Sequence, residues 1–200
     1  MRTYEIHKVT NGDLSALPVI SIDHTYFDTP DSIKASAKIG YDDEGILVHL
    51  ETVEENIRIV EKGPLGAPCQ DSCLEFFFCP MEGDTRYFNI EFNAAGCMFL
   101  GFGRSVNDHV RLVGSEGREL LSPVIRMTED GWVVDYRIPY AFIQLFFPDF
   151  KVYGGKKIRA NCYKCADCSE PPHYMAWSPI VGEPFRFHRP ECYGQMIFVD

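Results

Sequence analysis

The stretch Arg86–Gly96 reads RYFNIEFNAAG and decides the fold, because apolar and polar side chains alternate along it. Every second residue is large and apolar: Phe88, Ile90 and Phe92. The residues between them carry polar groups: Tyr87, Asn89, Glu91 and Asn93. Successive side chains of a β-strand point to opposite faces of the sheet. The stretch therefore predicts a strand with one face in a core, ended by a turn at Ala94-Ala95-Gly96.

Two further regions read as β-hairpins. Lys34–Tyr41 and Ile46–Val53 flank one short polar loop, and Val124–Thr128 and Trp132–Ile138 flank another. Short strands joined by loops rich in Gly, Asp and Glu are typical of antiparallel pairs. The remaining predicted strands are Leu74–Cys79, Cys97–Phe102, Ile158–Tyr163, Tyr174–Trp177 and Gln195–Val199.

Almost no segment shows a sustained helical period, so the pattern predicts an all-β fold. We expect an antiparallel two-sheet β-sandwich of jelly-roll type, with one short helix at Tyr140–Phe147. A polar stretch after Phe102, through Glu119, is predicted as a long loop whose strand content stays open. The chain has 200 residues, of which 46% are hydrophobic and 14% aromatic, enough for one sizeable core. We expect residues 1–200 to form a single domain.

The net negative charge of the chain argues against nucleic acids and anionic membranes as binding partners. The chain has 29 acidic and 19 basic side chains and a formal net charge of -10. Such a chain repels a phosphate backbone unless its basic residues gather on one face, and here they are scattered. We therefore expect neither a nucleic acid partner nor a polybasic attachment to a membrane.

The start of the chain and its thiols suggest a compartment. Met1–Lys8 lacks the apolar run of a secretory signal, and no later stretch approaches the length of a spanning helix. The eight cysteines do not need to form disulfides in a domain of this size. We expect a cytoplasmic protein with reduced thiols.

Several phrases occur together in an order that resembles the family 9 carbohydrate-binding modules and their uncharacterised intracellular relatives. The resemblance covers about residues 20 to 200. Each phrase alone is weak, whereas the ordered set is fairly specific. The phrases are Tyr41–Asp43, Asp71–Phe78, Tyr87–Gly96, Gly131–Pro139, Ala176–Pro179, Phe187–Pro190 and Tyr193–Gln195.

The resemblance implies non-catalytic binding of a mono- or oligosaccharide in an aromatic cleft, where two tryptophans clamp the end of the sugar beside a glutamate. By motif position, Trp177 is similar to one tryptophan and Glu75 to the acid. The segment that should carry the second tryptophan, Gly63–Gln70, contains no aromatic residue. A ring from elsewhere, such as Phe185 or Tyr174, would complete the clamp. The resemblance also implies that structural calcium can be present, although it assigns no ligands.

The same residues have simpler interpretations. A pyranose needs a flat ring for its apolar face and polar groups for its hydroxyls. Trp177 fits the first need, and it also fits a core position. Glu75 interrupts an apolar strand, so it serves either as a sugar acceptor or as a partner in a structural salt bridge with Arg86 or Arg159.

Two polar strand faces complete the predicted site. One carries Tyr87, Asn89 and Glu91; the other carries Arg159, Asn161 and Tyr163. If both faces line one cleft, they supply the hydrogen-bonding groups of a sugar site. If they face open water, they are only solvated sheet surface.

Parts of the sequence are also compatible with four other functions. A glycoside hydrolase would need Glu75 and Glu91 to flank a glycosidic bond. A protein-interaction scaffold would keep the fold and lose the sugar clamp. Distant relatives of the fold bind haem through Met with His or Lys, a role open to Met175 with His188. Cys162-x-x-Cys165-x-x-Cys168 could hold a metal only if its strand bends, because positions i and i+3 of a strand face opposite ways. We expect His188 to anchor a loop through backbone carbonyls, outside the site.

Overall fold

The computed structural model describes residues 2–113 and 120–200. The described residues form fourteen strands and the helix α1 (Tyr140–Phe146). The strands are β1 (Thr3–Lys8), β2 (Ile20–Ser21), β3 (His24–Tyr26), β4 (Lys34–Tyr41), β5 (Gly45–Val53), β6 (Cys73–Cys79), β7 (Tyr87–Asn93), β8 (Met98–Ser105), β9 (Asp108–Arg111), β10 (Val124–Met127), β11 (Gly131–Pro139), β12 (Lys157–Ala166), β13 (His173–Ala176) and β14 (Gly194–Val199).

The strands join into one curled sheet whose main path runs β10-β11-β5-β4-β1-β14-β12-β6-β7-β8-β9. The two predicted hairpins are confirmed as β4–β5 and β10–β11, both antiparallel. One expectation is corrected, because the sheet is mixed and not purely antiparallel. β1 runs parallel to both of its neighbours, β14 and β4, and joins the two halves of the sheet. Its short alternating segment was not among the predicted strands.

Because the sheet is curled, its two halves pack face to face around the main core. Phe88, Ile90 and Phe92 of β7 point into this core, as their alternation predicts. Across the interface, the rings of Phe92 and Tyr136 have centroids 5.1 Å apart. The β-sandwich expectation is therefore confirmed, and so is the short helix, which packs Phe142 and Ile143 into the same core.

A second, smaller aromatic cluster lies on the opposite face of β6, β7 and β12. It is built around Phe77, Tyr87, Tyr163 and Tyr193. The connection between β13 and β14, residues 177–193, covers this face and contributes Phe185 and Phe187. The part of the sheet that carries the polar alternation of β7 is therefore buried on both sides.

The stretch after Phe102, predicted as a long loop whose strand content was left open, contains strands in its first part. β8 continues to Ser105 and turns back as β9, pairing in an irregular antiparallel register. The last part of that predicted loop, residues 114–119, lies outside the described residues. Within the described part of the chain, none of the helices combines the length and the apolar character that a membrane crossing requires.

Candidate functional site

A cleft of about 380 Å³ opens on the outer face of β6, β7 and β12. Its size lies within the range of small-molecule sites. Strand residues form its floor, and the segments after β3, β12 and β13 form its walls. The lining residues are Phe27, Cys69, Glu75, Phe77, Glu91, Cys165, Asp167, Tyr174, Phe185, Arg186, Phe187 and His188.

Three other clefts are larger but are built differently. One, beside β2 and the ends of β4 and β5, has no aromatic residue in its lining. In another, beside β10 and β11, the single ring belongs to Tyr136, which is buried in the core. In the third, the guanidinium of Arg86 already lies over the ring of Phe147, with the carbon of the guanidinium 4.5 Å from the ring centroid. The smaller cleft combines accessible rings with buried carboxyl groups.

Two glutamates stand side by side in the floor. Glu75 of β6 and Glu91 of β7 are directly opposite in the antiparallel register, and they are only 2% and 6% exposed. The thiol of Cys165 donates to Glu75 Oε1 at 2.9 Å, and Asn89 Nδ2 donates to Glu91 Oε1 at 2.7 Å. Polar neighbours thus orient one oxygen of each carboxyl group.

These surroundings favour the protonated form of both acids. Burial, followed by the charge of Glu91, raises the pKa of Glu75 well above its ordinary value. Burial also raises the pKa of Glu91 to about 7, although Asn89 and Arg111 oppose this shift. Near neutral pH the pair therefore holds fewer than two negative charges, and it can both donate and accept hydrogen bonds.

Aromatic rings form the wall above the carboxyl pair. The centroids of Tyr174 and Phe185 lie 5.8 Å apart, and Phe27 packs edge-on against both at 5.5 Å and 5.1 Å. Phe187 stacks on Tyr163, with centroids 4.1 Å apart. Tyr163 also fixes the wall by donating from its hydroxyl to the Phe187 carbonyl at 3.1 Å.

Phe27 is the most unusual of these rings. Its side chain is 70% exposed, and its backbone has a φ of 55°. A bulky residue in the left-handed region is uncommon and costs conformational energy. Strained residues with exposed apolar side chains concentrate at binding sites.

Two histidines form hydrogen bonds with side chains of β7 behind the cleft. Tyr87 Oη and His188 Nδ1 are 2.6 Å apart, and the His109 ring is hydrogen-bonded to the Asn89 side-chain oxygen. Burial lowers the pKa of both histidines to about 4, so both rings are neutral near pH 7. His188 thus lines the cleft and bonds a side chain, whereas the sequence suggested a loop anchor that bonds backbone carbonyls.

The structure places Trp177 away from the cleft. The indole is only 4% exposed and belongs to the main core. It packs against Gly194, where an added Cβ would come within 2.5 Å of the ring. The expectation of a sugar platform at Trp177 is therefore corrected, because the ring is buried in the main core and does not line the cleft.

The other predicted residues fall into two groups. Glu75 and Glu91 line the cleft, and Asn89, Tyr87 and Tyr163 lie behind it as supports. Asn161 and Arg159 instead hold the covering segment. Asn161 bonds both the N–H and the carbonyl of Ser178, and Arg159 donates to the Pro190 carbonyl.

The alternative of a salt bridge to Glu75 is wrong. Arg86 pairs with Asp84, and the guanidinium of Arg159 donates to the carbonyls of Pro190 and Asp84. Tyr174 and Phe185, named as substitutes for the missing tryptophan, do lie in the cleft wall. Phe27, Asp167 and Phe187 were missed, because they come from loops in which no periodic pattern marks a face.

Among the described residues, one group of three His, Cys, Asp or Glu side chains brings its ligand atoms close together. Ligand atoms of Cys73, Glu75 and Cys165 lie within 4.8 Å of one another. Calcium prefers six to eight oxygen ligands, so a set with two thiols does not suit it. Cys162 points into the core while Cys165 faces the cleft, as the strand geometry predicted.

The positions of Met175 and His188 do not allow the two residues to bind one haem iron. Met175 is buried in the main core, whereas His188 lines the cleft on the other face of the sheet. The two side chains therefore cannot approach one iron from opposite sides.

Comparisons with solved structures find the same fold. A proposed carbohydrate-binding protein from Bacteroides uniformis ATCC 8492 is 26% identical, with a TM-score of 0.81 over 98% of this chain and 99% of that chain. A family 9 carbohydrate-binding module from Caldicellulosiruptor kristjanssonii in complex with cellotriose is 12% identical, with a TM-score of 0.67 over 99% and 94% of the two chains. The same organism's module in complex with glucose gives a TM-score of 0.67 at 12% identity, over 98% and 95%.

Comparison at the level of sequence gives the family. A search of curated proteins found no match. The model of carbohydrate-binding family 9, however, matches residues 13–198, which is nearly the whole chain. The chain therefore belongs to carbohydrate-binding family 9.

Proposed function

We propose that the protein binds a carbohydrate in the cleft above Glu75 and Glu91 without changing it chemically. The observation that carries this proposal is the aromatic wall facing a buried carboxyl pair. A pyranose presents apolar C–H groups on its faces and hydroxyls at its edge, so it matches a ring wall beside a polar floor. Membership of a carbohydrate-binding family supports the same function.

In this proposal the sugar ring lies against Tyr174 and Phe185, with Phe27 closing one side. Its hydroxyls donate to the carboxyl oxygens of Glu75 and Glu91 that are not held by Cys165 and Asn89. Glucose and short β-glucans are the first ligands to test, because solved family members were obtained with glucose and cellotriose.

Binding is favoured over hydrolysis by the arrangement of the two acids. A glycosidase needs its carboxyl groups on either side of the scissile bond. Glu75 and Glu91 are cross-strand neighbours that point out of the same face of the sheet. They form one floor, so no carboxyl group of this pair stands opposite the other across a bound sugar.

We also propose that the chain works as one domain in a reducing, cytoplasmic compartment, with no nucleic acid partner. Cys73 and Cys165 are free thiols at directly opposite strand positions, a placement in which oxidation would join two strands of the cleft floor.

Calorimetric titration with glucose, cellobiose and cellotriose tests the proposed function. Wild type should bind at least one of them with a stoichiometry of one. Tyr174→Ala and Phe185→Ala should each weaken binding about 3- to 10-fold, the value of one stacked ring. Tyr153→Ala removes an exposed ring that does not line the cleft and should bind as wild type does.

Absence of heat for every sugar with folded wild type would contradict the proposal and favour a protein-interaction domain. Release of aryl product from an aryl-glucoside, lost in Glu75→Gln, would contradict the non-catalytic part and favour a hydrolase.

A further inference from the structure

The floor of the cleft also holds a set of metal-ligating side chains, of which only Glu75 belongs to the proposed sugar site. Cys73 of β6 and Cys165 of β12 are directly opposite in the antiparallel register. Glu75 follows two positions along β6 and points the same way. One ligand atom from each residue lies within 4.8 Å of the other two, and all three side chains are buried.

The donor set selects the metal. Two sulfur atoms and one carboxylate oxygen suit Zn²⁺, which forms bonds of about 2.3 Å to thiolate and about 2.0 Å to carboxylate. In a tetrahedral site such bonds separate the ligand atoms by roughly 3.5 to 3.8 Å. The present set therefore needs only side-chain adjustments, because Cys165 Sγ and Glu75 Oε1 are already 2.9 Å apart.

A third thiol, which could serve as the fourth ligand, lies beside this group. Cys69 lines the same cleft, and the Cys165 thiol is 3.6 Å from the Cys69 carbonyl oxygen. Cys69 lies in the short turn that precedes β6, and to bind the metal its thiol would exchange its hydrogen bond to Asp167 for a bond to the ion. The chain can thus supply four ligands within one small volume.

The charge around the group also favours a cation. Glu75, Glu91 and Asp167 all line the cleft, and the only basic residue in its lining is Arg186. Lys164 is adjacent to Cys165 in sequence but points to the opposite face, where its ammonium contacts Glu54 at 3.2 Å. A divalent ion would supply the missing positive charge at the floor.

We propose that Cys73, Glu75 and Cys165 form a zinc site at the base of the cleft, with Cys69 as the fourth ligand. Binding forms metal–sulfur bonds to three thiolates and a metal–oxygen bond to the Glu75 carboxylate, and each thiol and the protonated Glu75 carboxyl group release their protons to solvent. The site shares Glu75 with the proposed sugar site, but metal binding needs no sugar and is therefore tested separately from the proposed carbohydrate function.

The test is a titration of the reduced, metal-free full chain with Co²⁺, without sugar. The expected result is one equivalent of Co²⁺ with a thiolate-to-metal charge-transfer band and the strong visible bands of tetrahedral coordination, both abolished by added Zn²⁺. Cys165→Ser and Cys73→Ser should lose the charge-transfer intensity, and Glu75→Gln should weaken the affinity at least about tenfold. Cys168→Ser, an exposed thiol just beyond β12, is the matched control and should behave as wild type.

Because a buried Cys→Ser change can disturb folding, Cys69→Ser, at a half-buried position, provides a second variant, and circular dichroism checks each fold. Wild type should also melt at a higher temperature with one equivalent of Zn²⁺. Reduced wild type without a charge-transfer band would overturn the proposal. So would bands that persist in folded Cys165→Ser, or bands that vanish in Cys168→Ser.

Discussion

At the scale of single residues, Glu91 shows how the alternation of one strand creates the site. The period that sends Phe88, Ile90 and Phe92 into the core sends Glu91 to the opposite face. There the covering segment removes it from water, and Glu75 stands beside it. Burial, with a smaller contribution from the charge of Asp167, makes the ionisation of Glu91 unfavourable.

The first prediction concerns this ionisation. The folded pKa of Glu91 is raised from 4.5 to about 7, so the folded protein holds a proton that the unfolded chain has lost. Its contribution to stability is therefore complete below about pH 4.5 and is lost as the pH rises through about 7. Glu91→Gln should raise the free energy of unfolding at pH 8 by roughly 1 to 3 kcal/mol and leave it nearly unchanged at pH 4.5.

Urea denaturation at both pH values checks this expectation. Glu5→Gln, an exposed glutamate on β1, is the control and should change neither value appreciably. A Glu91→Gln protein that is less stable than wild type at pH 8 would show that the glutamate is ionised and paired in the folded state.

The second prediction concerns the strained ring of Phe27. Phe27→Gly removes the ring and relieves the left-handed backbone, whereas Phe27→Ala removes the ring and keeps the strain. The glycine variant should be more stable than the alanine variant by about 1 kcal/mol, and both should bind sugar more weakly than wild type. Thermal melts and calorimetry separate the two effects. Equal affinity in all three proteins would exclude Phe27 from the site.

The sequence alone predicts the orientation of strand residues but not that of loop residues. Glu75, Glu91 and Asn89 were predictable, because regular strands carry them and a period of two assigns their faces. Phe27 was not, since a loop residue's orientation depends on its backbone angles. The prediction for Trp177 was wrong because a motif gives the position of a residue in the sequence but not its burial. In the structure the ring packs against Gly194 and is buried.

At the scale of elements, the segment between β13 and β14 determines the shape of the cleft. It carries Phe185, Phe187 and His188 across the outer face of the sheet. Its first residues are fixed by Asn161 of β12, whose amide donates to the Ser178 carbonyl at 2.9 Å and accepts from the Ser178 N–H at 2.8 Å. A residue predicted to touch sugar is thus better described as positioning the wall.

The third prediction follows from this anchor. Asn161→Ala leaves two buried backbone groups of Ser178 without their partner and should cost about 1 to 3 kcal/mol. It should also weaken sugar binding and accelerate proteolytic cleavage within residues 178–193, although the side chain does not reach the cleft. Limited proteolysis with mass spectrometry measures this effect, with exposed Asn107→Ala as the control. An unchanged cleavage rate would mean that the segment is held by its aromatic packing alone.

At the scale of the whole molecule, a buried polar cluster connects the two halves of the sheet. Glu54, at the end of β5, contacts Lys164 of β12 at 3.2 Å, and Lys164 Nζ lies 2.8 Å from His173 Nε2. Burial alone would raise the pKa of Glu54, but His173, Lys164 and Ser72 overcome it and lower the value to about 2. The carboxylate therefore stabilises the fold above about pH 4.5, and this contribution is lost as the pH falls towards 2.

The fourth prediction tests this connection. Lys164→Met leaves the charge of Glu54 buried without its cation and should destabilise the protein by about 3 to 5 kcal/mol. The double variant Glu54→Gln with Lys164→Met strands no charge, so it should recover part of that loss. Chemical denaturation at pH 7 of both variants and of Glu54→Gln completes the cycle. Additive effects would show that the two side chains do not interact.

The global topology was predictable only in part. Hairpins and the sandwich follow from local alternation and short polar loops, which are properties of neighbouring residues. The parallel pairing of β1 with β14 joins residues nearly 200 positions apart, such as Tyr4 and Met196. No local pattern encodes such a contact, because it is decided by which edge remains unpaired when the sheet closes.

The most direct test of the central claim is a crystal structure of the protein with a cello-oligosaccharide. We predict one sugar ring against Tyr174 and Phe185, with its hydroxyls within about 3 Å of the carboxyl oxygens of Glu75 or Glu91. A sugar bound in another cleft, or against an indole of Trp177 that has left the core, would contradict it.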